Sequence, residues 1–119
     1  MELTHDKRNG WEAETVYPLE IVGTDNLGRP VEFKLFLKTR KDSYGKLATD
    51  ATVYRIGAHF RTHAFSFGGH GDFSRAITKT TTRGTEKNVR QQHAEAEAQI
   101  AGVLDAARKH YQDARNIAV

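Results

Sequence analysis

The chain has 119 residues, 18 of them basic, 15 acidic, six histidine and none cysteine, for a formal net charge of +3. That length suits one domain with a modest core, and the lack of cysteine excludes disulfides and thiolate metal centres. No apolar run approaches the roughly 20 residues that cross a bilayer, and residues 1–8 lack the apolar stretch of a signal peptide, so a cytoplasmic protein is expected.

The charge is unevenly spread. Residues 1–30 carry three basic and six acidic groups, residues 31–83 ten basic and four acidic, and residues 84–119 five of each. Cations therefore concentrate in the middle of the chain, which points to a basic surface there.

Residues 1–12 are polar, with Trp11 the one strong anchor, and a loose start is expected. From Ala13 to Val22, Tyr17, Leu19 and Ile21 share one face at a period of two, the pattern of a strand. Pro18 has no N–H for a ladder, so that strand belongs at an edge. Residues 24–29 have turn chemistry throughout.

Val31 to Arg40 carries the clearest alternation: Val31, Phe33, Leu35 and Leu37 point one way, and Glu32, Lys34, Phe36, Lys38 and Arg40 the other. Residues 41–50 read as a polar loop around Tyr44. A third strand is predicted from Ala51, with Tyr54, Ile56, Ala58 and Phe60 on the core side and Val53, Arg55, His59, Arg61 and His63 opposite. The apolar phase then slips to Phe65 and Phe67, so a bulge or turn is expected between Arg61 and Ala64.

Residues 68–72 form a glycine-rich turn. Phe73 to Ile77 reads either as a helical turn capped by Asp72 or as the start of a fourth strand, with the threonines that follow favouring extended structure. Thr85 is a good N-cap, with Glu86 at the positive dipole end. Beyond it, Val89, His93, Ala96, Ile100, Val103, Leu104, Ala107 and Tyr111 fall on one stripe at helical spacing. The expectation is one helix over residues 85–118, with Glu86–Arg90 and Asp105–Lys109 as i,i+4 ion pairs.

These readings define one α+β domain spanning residues 1–119. Residues 13–82 supply an antiparallel meander of three or four strands, packed against one long carboxy-terminal helix. The β-β-β-α order with a basic sheet face resembles the three-stranded DNA-binding domains of the AP2 type, in the order of the elements and in no motif residue.

Candidate chemistry is sparse. His59 and His63 lie four apart, which separates them by about 13 Å on a strand, and no metal site is expected. His70, Asp72 and Ser74 are the residue types of a hydrolytic triad but are nearly consecutive, whereas triads assemble from separate elements. No catalytic residue, cofactor or metal is assigned; an enzyme built on His70 and Asp72 is the third-ranked reading.

The leading expectation is nucleic-acid binding, DNA included, through a basic sheet face. Lys34, Phe36, Lys38, Arg40, Arg55, His59, Arg61 and His63 would combine cations for phosphates with a ring for stacking. Lys79, Thr82, Arg83 and Thr85, at the helix start, form a second candidate, an anion site. The alternative is a protein-binding inhibitor or accessory protein of phage or plasmid type acting on a host complex, in which the acidic Glu12, Glu14, Glu20 and Asp25 would matter more. A strand of about seven residues spans roughly 23 Å, less than the apolar stripe. A homodimer seam is therefore expected at Ile100, Val103, Ala107 and Tyr111.

Overall fold

The computed structural model describes residues 1–24, 27–41, 45–57, 61–66 and 83–117, without the side chains of residues 21–22, 62–66 and 110–117. Strands β1 (Glu2–Asp6), β2 (Gly10–Thr24), β3 (Pro30–Lys41), β4 (Leu47–Ile56) and β5 (Arg61–Ser66) form one antiparallel sheet in sequence order. Helices α1 (Glu86–Glu97) and α2 (Ile100–Ile117) follow. The α+β class read from the sequence is the class of the structure.

Among the described residues five strands appear where three or four were expected, and the first is new. Residues 1–12 are not a loose start: Leu3 pairs with Ala13 and His5 with Trp11. The turn between them is fixed by Asp6, whose Oδ1 accepts the N–H groups of Arg8 at 2.7 Å and Asn9 at 2.9 Å. Those two bonds hold its carboxyl below the usual aspartate range. Gly10, at φ +79°, then takes the left-handed conformation that closes a short hairpin.

Alternation along β3 sorts the two faces. Leu35, Leu37 and Thr39 are fully buried towards the helices, while Lys34, Lys38 and Arg40 point away. The register Leu35↔Val53, Leu37↔Ala51 and Thr39↔Thr49 puts Val53, Ala51 and Thr49 on that same helix side. This inverts the expected phase of the third strand. Ala51 and Val53 enter the core, and Tyr54 and Ile56 lie on the open side.

Two further boundaries move. The expected loop over residues 41–50 ends early, because β4 begins at Leu47. The long third strand is two strands: β4 ends at Ile56, and β5 runs back along it from Arg61. The expected irregularity is a bulge beside Ala64, between the pairs Tyr54↔His63 and Val53↔Phe65. The fourth strand considered at residues 73–82 lies outside the described residues.

Pro18 sits where the sequence argument wants it. β1 covers β2 only from Gly10 to Glu14, so at Pro18 the strand has β3 on one side and no strand of the described residues on the other. Between Pro18 and Val22 the register shifts, and Glu20 adopts φ 59°. The carbonyl of Leu19 turns to accept the Arg108 Nε–H at 3.2 Å.

The helical segment opens as expected. The Thr85 hydroxyl accepts the Asn88 N–H at 3.3 Å, and Arg90 meets Glu86 at 3.1 Å. Asp105 lies 3.9 Å from Arg108, three residues on, instead of pairing with Lys109. It is not one helix, however. Ala98 and Gln99 form a turn in which the Gln99 N–H donates to Ala96 O at 3.0 Å, an i→i−3 bond that tightens the chain. A straight rod diverges from a twisted sheet; the tightened turn lets α1 pack on β2, β3 and β4 while α2 packs on β2.

Leu19, Leu35, Leu37, Ala51 and Val53 of the sheet meet Ala96, Val103 and Ala107 of the helices, with Ile100 and Leu104 at the margin. A second cluster joins Ala13, Leu47 and Val89 to Leu3 and Trp11. Val103 is 6 % exposed and Ala107 fully buried. Of the residues expected at a dimer seam, Val103 and Ala107 are buried within their own chain and Ile100 packs at the margin of that cluster, while the Tyr111 side chain lies outside the described residues. The strands are longer than seven residues, 15 in β2 and 12 in β3, and β2 is the strand on which α2 packs.

Candidate binding face

The helices cover one side of the sheet and leave the other uncovered by any described element. On that open face β2 contributes Glu12, Glu14 and Val16, β3 contributes Lys34, Phe36, Lys38 and Arg40, and β4 contributes Asp50, Thr52 and Tyr54. β5 adds Arg61, opposite Ile56.

At its centre three side chains stack. Phe36 and Tyr54 meet edge to face, with ring centroids 5.0 Å apart. The guanidinium of Arg61 lies 3.9 Å from the Phe36 centroid and 4.0 Å from that of Tyr54. Phe36 is only 7 % exposed although no described helix covers it, with Tyr54 and Arg61 packed against its ring. Each such cation–π contact contributes about 0.5–1 kcal/mol at an exposed site.

Around this centre the charges alternate. Lys38 bridges Glu12 at 3.3 Å and Glu14 at 3.4 Å, and Lys34 lies 3.8 Å from Glu32. Asp50, paired in register with Lys38, is half-buried, and that burial raises its carboxyl above the usual aspartate value while Arg40 and Lys38 pull it down. A shallow cleft of about 130 Å³ runs beside Arg61, walled by Phe36, Lys38, Asp50 and Tyr54. At the β1–β2 turn end a wider hollow of about 680 Å³ lies between Arg8, Glu12, Arg40, Lys41 and Asp50.

Of the residues expected to form a basic face, the sheet brings Lys34, Phe36, Lys38, Arg40 and Arg61 together, and places His63 opposite Tyr54 in register. Arg55 does not join them: it pairs with Phe33 and falls on the helix-bearing side, because β4 runs in the inverted phase. His59 lies outside the described residues. The face is also not uniformly basic. Glu12, Glu14 and Asp50, none of them assigned to a site from the sequence, interleave with the cations. The acidic cluster in residues 1–30 signals Glu12 and Glu14, whereas Asp50 lies in the basic middle of the chain.

The second candidate is differently occupied. The Thr85 hydroxyl caps Asn88, and the Arg83 carbonyl accepts the Asn88 side-chain amide at 2.9 Å, so the groups at this helix start serve the helix itself. Lys79 and Thr82 lie outside the described residues, as do His70, Asp72 and Ser74. Among the described residues no three His, Asp or Glu side chains cluster as a metal site would require.

The chain matches no family model, no curated protein and no solved structure.

Proposed function

We propose that this is a non-enzymatic binding protein whose open sheet face docks another protein, as an inhibitor or accessory subunit does. The observation that carries the reading is the pattern of that face: Arg61 stacked on Phe36 and Tyr54, inside a ring of Lys38, Glu12, Glu14 and Asp50 in which cations already have anionic neighbours. Protein interfaces favour aromatic and arginine anchors at the centre with polar, charge-complementary surroundings. A polyanion would meet Glu12 and Glu14 as readily as Lys38.

A nucleic-acid partner is the second reading, and one observation favours it: Lys34, Lys38 and Arg40 stand at alternate positions of β3 with Arg61 nearby.

Affinity capture with the whole chain tests the first reading, using Arg61→Glu on the open face and Arg90→Glu on the outer face of α1. A partner recovered by the wild type and by Arg90→Glu but lost with Arg61→Glu is the expected outcome. Generic duplex and single-stranded DNA and RNA are assayed by mobility shift at two salt concentrations. A shift that weakens steeply with salt and disappears in Lys34→Ala/Arg40→Ala overturns the protein-docking reading in favour of the second.

A further inference from the structure

Beneath the sheet, one buried chain of polar side chains ties α1 to three strands. Gln92 Nε2 donates to Thr49 Oγ1 at 3.0 Å, and the hydroxyls of Thr49 and Thr39 meet at 2.8 Å. Thr39 Oγ1 lies 2.9 Å from His93 Nδ1, His93 Nε2 lies 2.8 Å from Thr15 Oγ1, and Thr15 donates to Glu97 Oε1 at 2.7 Å.

The direction of every bond follows from its acidic end. A carboxylate only accepts, and each hydroxyl has one proton to give. Thr15 gives its proton to Glu97 and therefore accepts from the Nε2–H of a neutral His93. Nδ1 is then an acceptor, so Thr39 donates to it, Thr49 donates to Thr39, and the Gln92 amide donates to Thr49. One atom is left over: Gln92 Oε1 is buried and has no hydrogen-bond partner. Buried polar atoms are rarely left so.

We infer that this chain is reversible: a proton taken from solvent at His93 Nδ1 turns round every hydrogen bond from Thr39 to Gln92, and the Gln92 carboxamide rotates so that Oε1 becomes the final acceptor. Only one N–H bond forms. His93 Nδ1–H donates to Thr39, whose hydroxyl rotates to donate to Thr49, which donates to Gln92 Oε1. No hydroxyl loses its own proton. Threonine suits the task, because a hydroxyl gives or accepts by rotation alone, whereas valine, its isostere, does neither. In the reversed state Oε1 accepts from Thr49 while the Gln92 amide nitrogen takes the position Oε1 has left, and the imidazolium lies against Glu97, 3.2 Å from His93 Nε2.

The groups that face His93 set the balance. Burial opposes the charge most strongly, and the Met1 amino group adds to that opposition; Glu97 on α1 and Glu14 on β2 favour the charge. β3 and β4 present the hydroxyls of Thr39 and Thr49, and on β2 the Tyr17 hydroxyl adjoins Thr15 and Glu97. Helix α1 thus stays docked in both states, with the core neutral in one and carrying an ion pair in the other.

NMR of the whole labelled chain between pH 8 and pH 4.5 tests this. The expected result is an Nε2–H tautomer of His93 at high pH, and Gln92 side-chain amide resonances that move at the midpoint of the His93 ring. The backbone amides of Val89 and Ala96 hold their positions. Gln92 resonances that stay still through the His93 titration overturn the inference, as does loss of the α1 amide signals at that midpoint, which means undocking. Thr39→Val cuts the chain, so the Gln92 response disappears and the His93 midpoint falls by about one pH unit, a tenfold loss of proton affinity. Gln92→Met removes the final acceptor without touching the sheet and lowers the midpoint in the same direction. An unchanged midpoint in Gln92→Met overturns the inference even if Thr39→Val does not fold.

Discussion

Arg61 is the lid of Phe36. The guanidinium stands 3.9 Å from the ring centroid, and Phe36, on the side that no described helix covers, is almost as buried as the core. The two residues differ in what their loss does. Phe36→Ala removes a packed ring and is expected to cost about 3 kcal/mol, whereas Arg61→Ala forfeits two exposed cation–π contacts and about 1 kcal/mol. Urea unfolding of both variants checks the ratio. It also shows whether Arg61→Ala, the milder change, is fit for binding assays.

Stability is expected to fall as the pH drops below about 6.5, and His93 is the cause. Its folded-state affinity for a proton is lowered, chiefly by burial, from a reference value of 6.5. The unfolded chain therefore binds the proton first, and the stability present above pH 6.5 is progressively lost as the pH falls to the folded midpoint. Asp50 acts in the opposite sense, because burial raises it from 3.8. Its stabilising share is present below that value and lost as the pH rises through the folded one. Urea midpoints at pH 7.5 and pH 5 should differ in the wild type and differ less in His93→Gln. Asp50→Asn should raise the midpoint at pH 7.5.

Val103→Asp should unfold the chain at every protein concentration, because Val103 lies at 6 % exposure against the protein's own sheet. An unpaired charge in that position costs several kcal/mol. Circular dichroism at two concentrations spanning a hundredfold range checks this. A folded monomer with a lost dimer would instead return Val103 to an intermolecular seam.

Thr85→Ala is expected to cost about 1 kcal/mol, the usual effect of losing an N-cap oxygen, and towards the low side because the bond to Asn88 is long at 3.3 Å. Thr85→Ser, which keeps the oxygen, should restore most of it. Thermal melts of the two variants give the comparison.

The alternation of Val31, Phe33, Leu35 and Leu37 is strong enough to read β3 and its buried face directly. β4 is not readable in the same way, because its larger apolar residues, Tyr54 and Ile56, are spent on the open face while Ala51 and Val53 suffice against the helices. The misplaced Phe36 in an otherwise charged row is the clue that this face also packs. The β1–β2 hairpin is announced by Asp6 and by Asn9 next to Gly10, a turn signal outweighed by the polarity of the strand before it. The break at Ala98 is silent in the pattern: the stripe at 89, 93, 96, 100, 103 and 107 keeps its spacing of four and three across it. Of the open face, the cations are legible one by one, but their neutralisation by Glu12 and Glu14 depends on a pairing of β2 with β3 that no local signal fixes.

Beyond Glu14, β2 runs on to Thr24 without a strand on its β1 side among the described residues, and a row of open amides and carbonyls of that kind invites a foreign chain to add itself and start a fibril. Three details spoil the template. Pro18 offers no N–H, Glu20 at φ 59° breaks the straight run, and Arg108 already occupies the Leu19 carbonyl. The kink that looks like an imperfection in the longest strand therefore makes its edge a poor template for another chain, and the helix that supplies Arg108 serves that edge as well as the core.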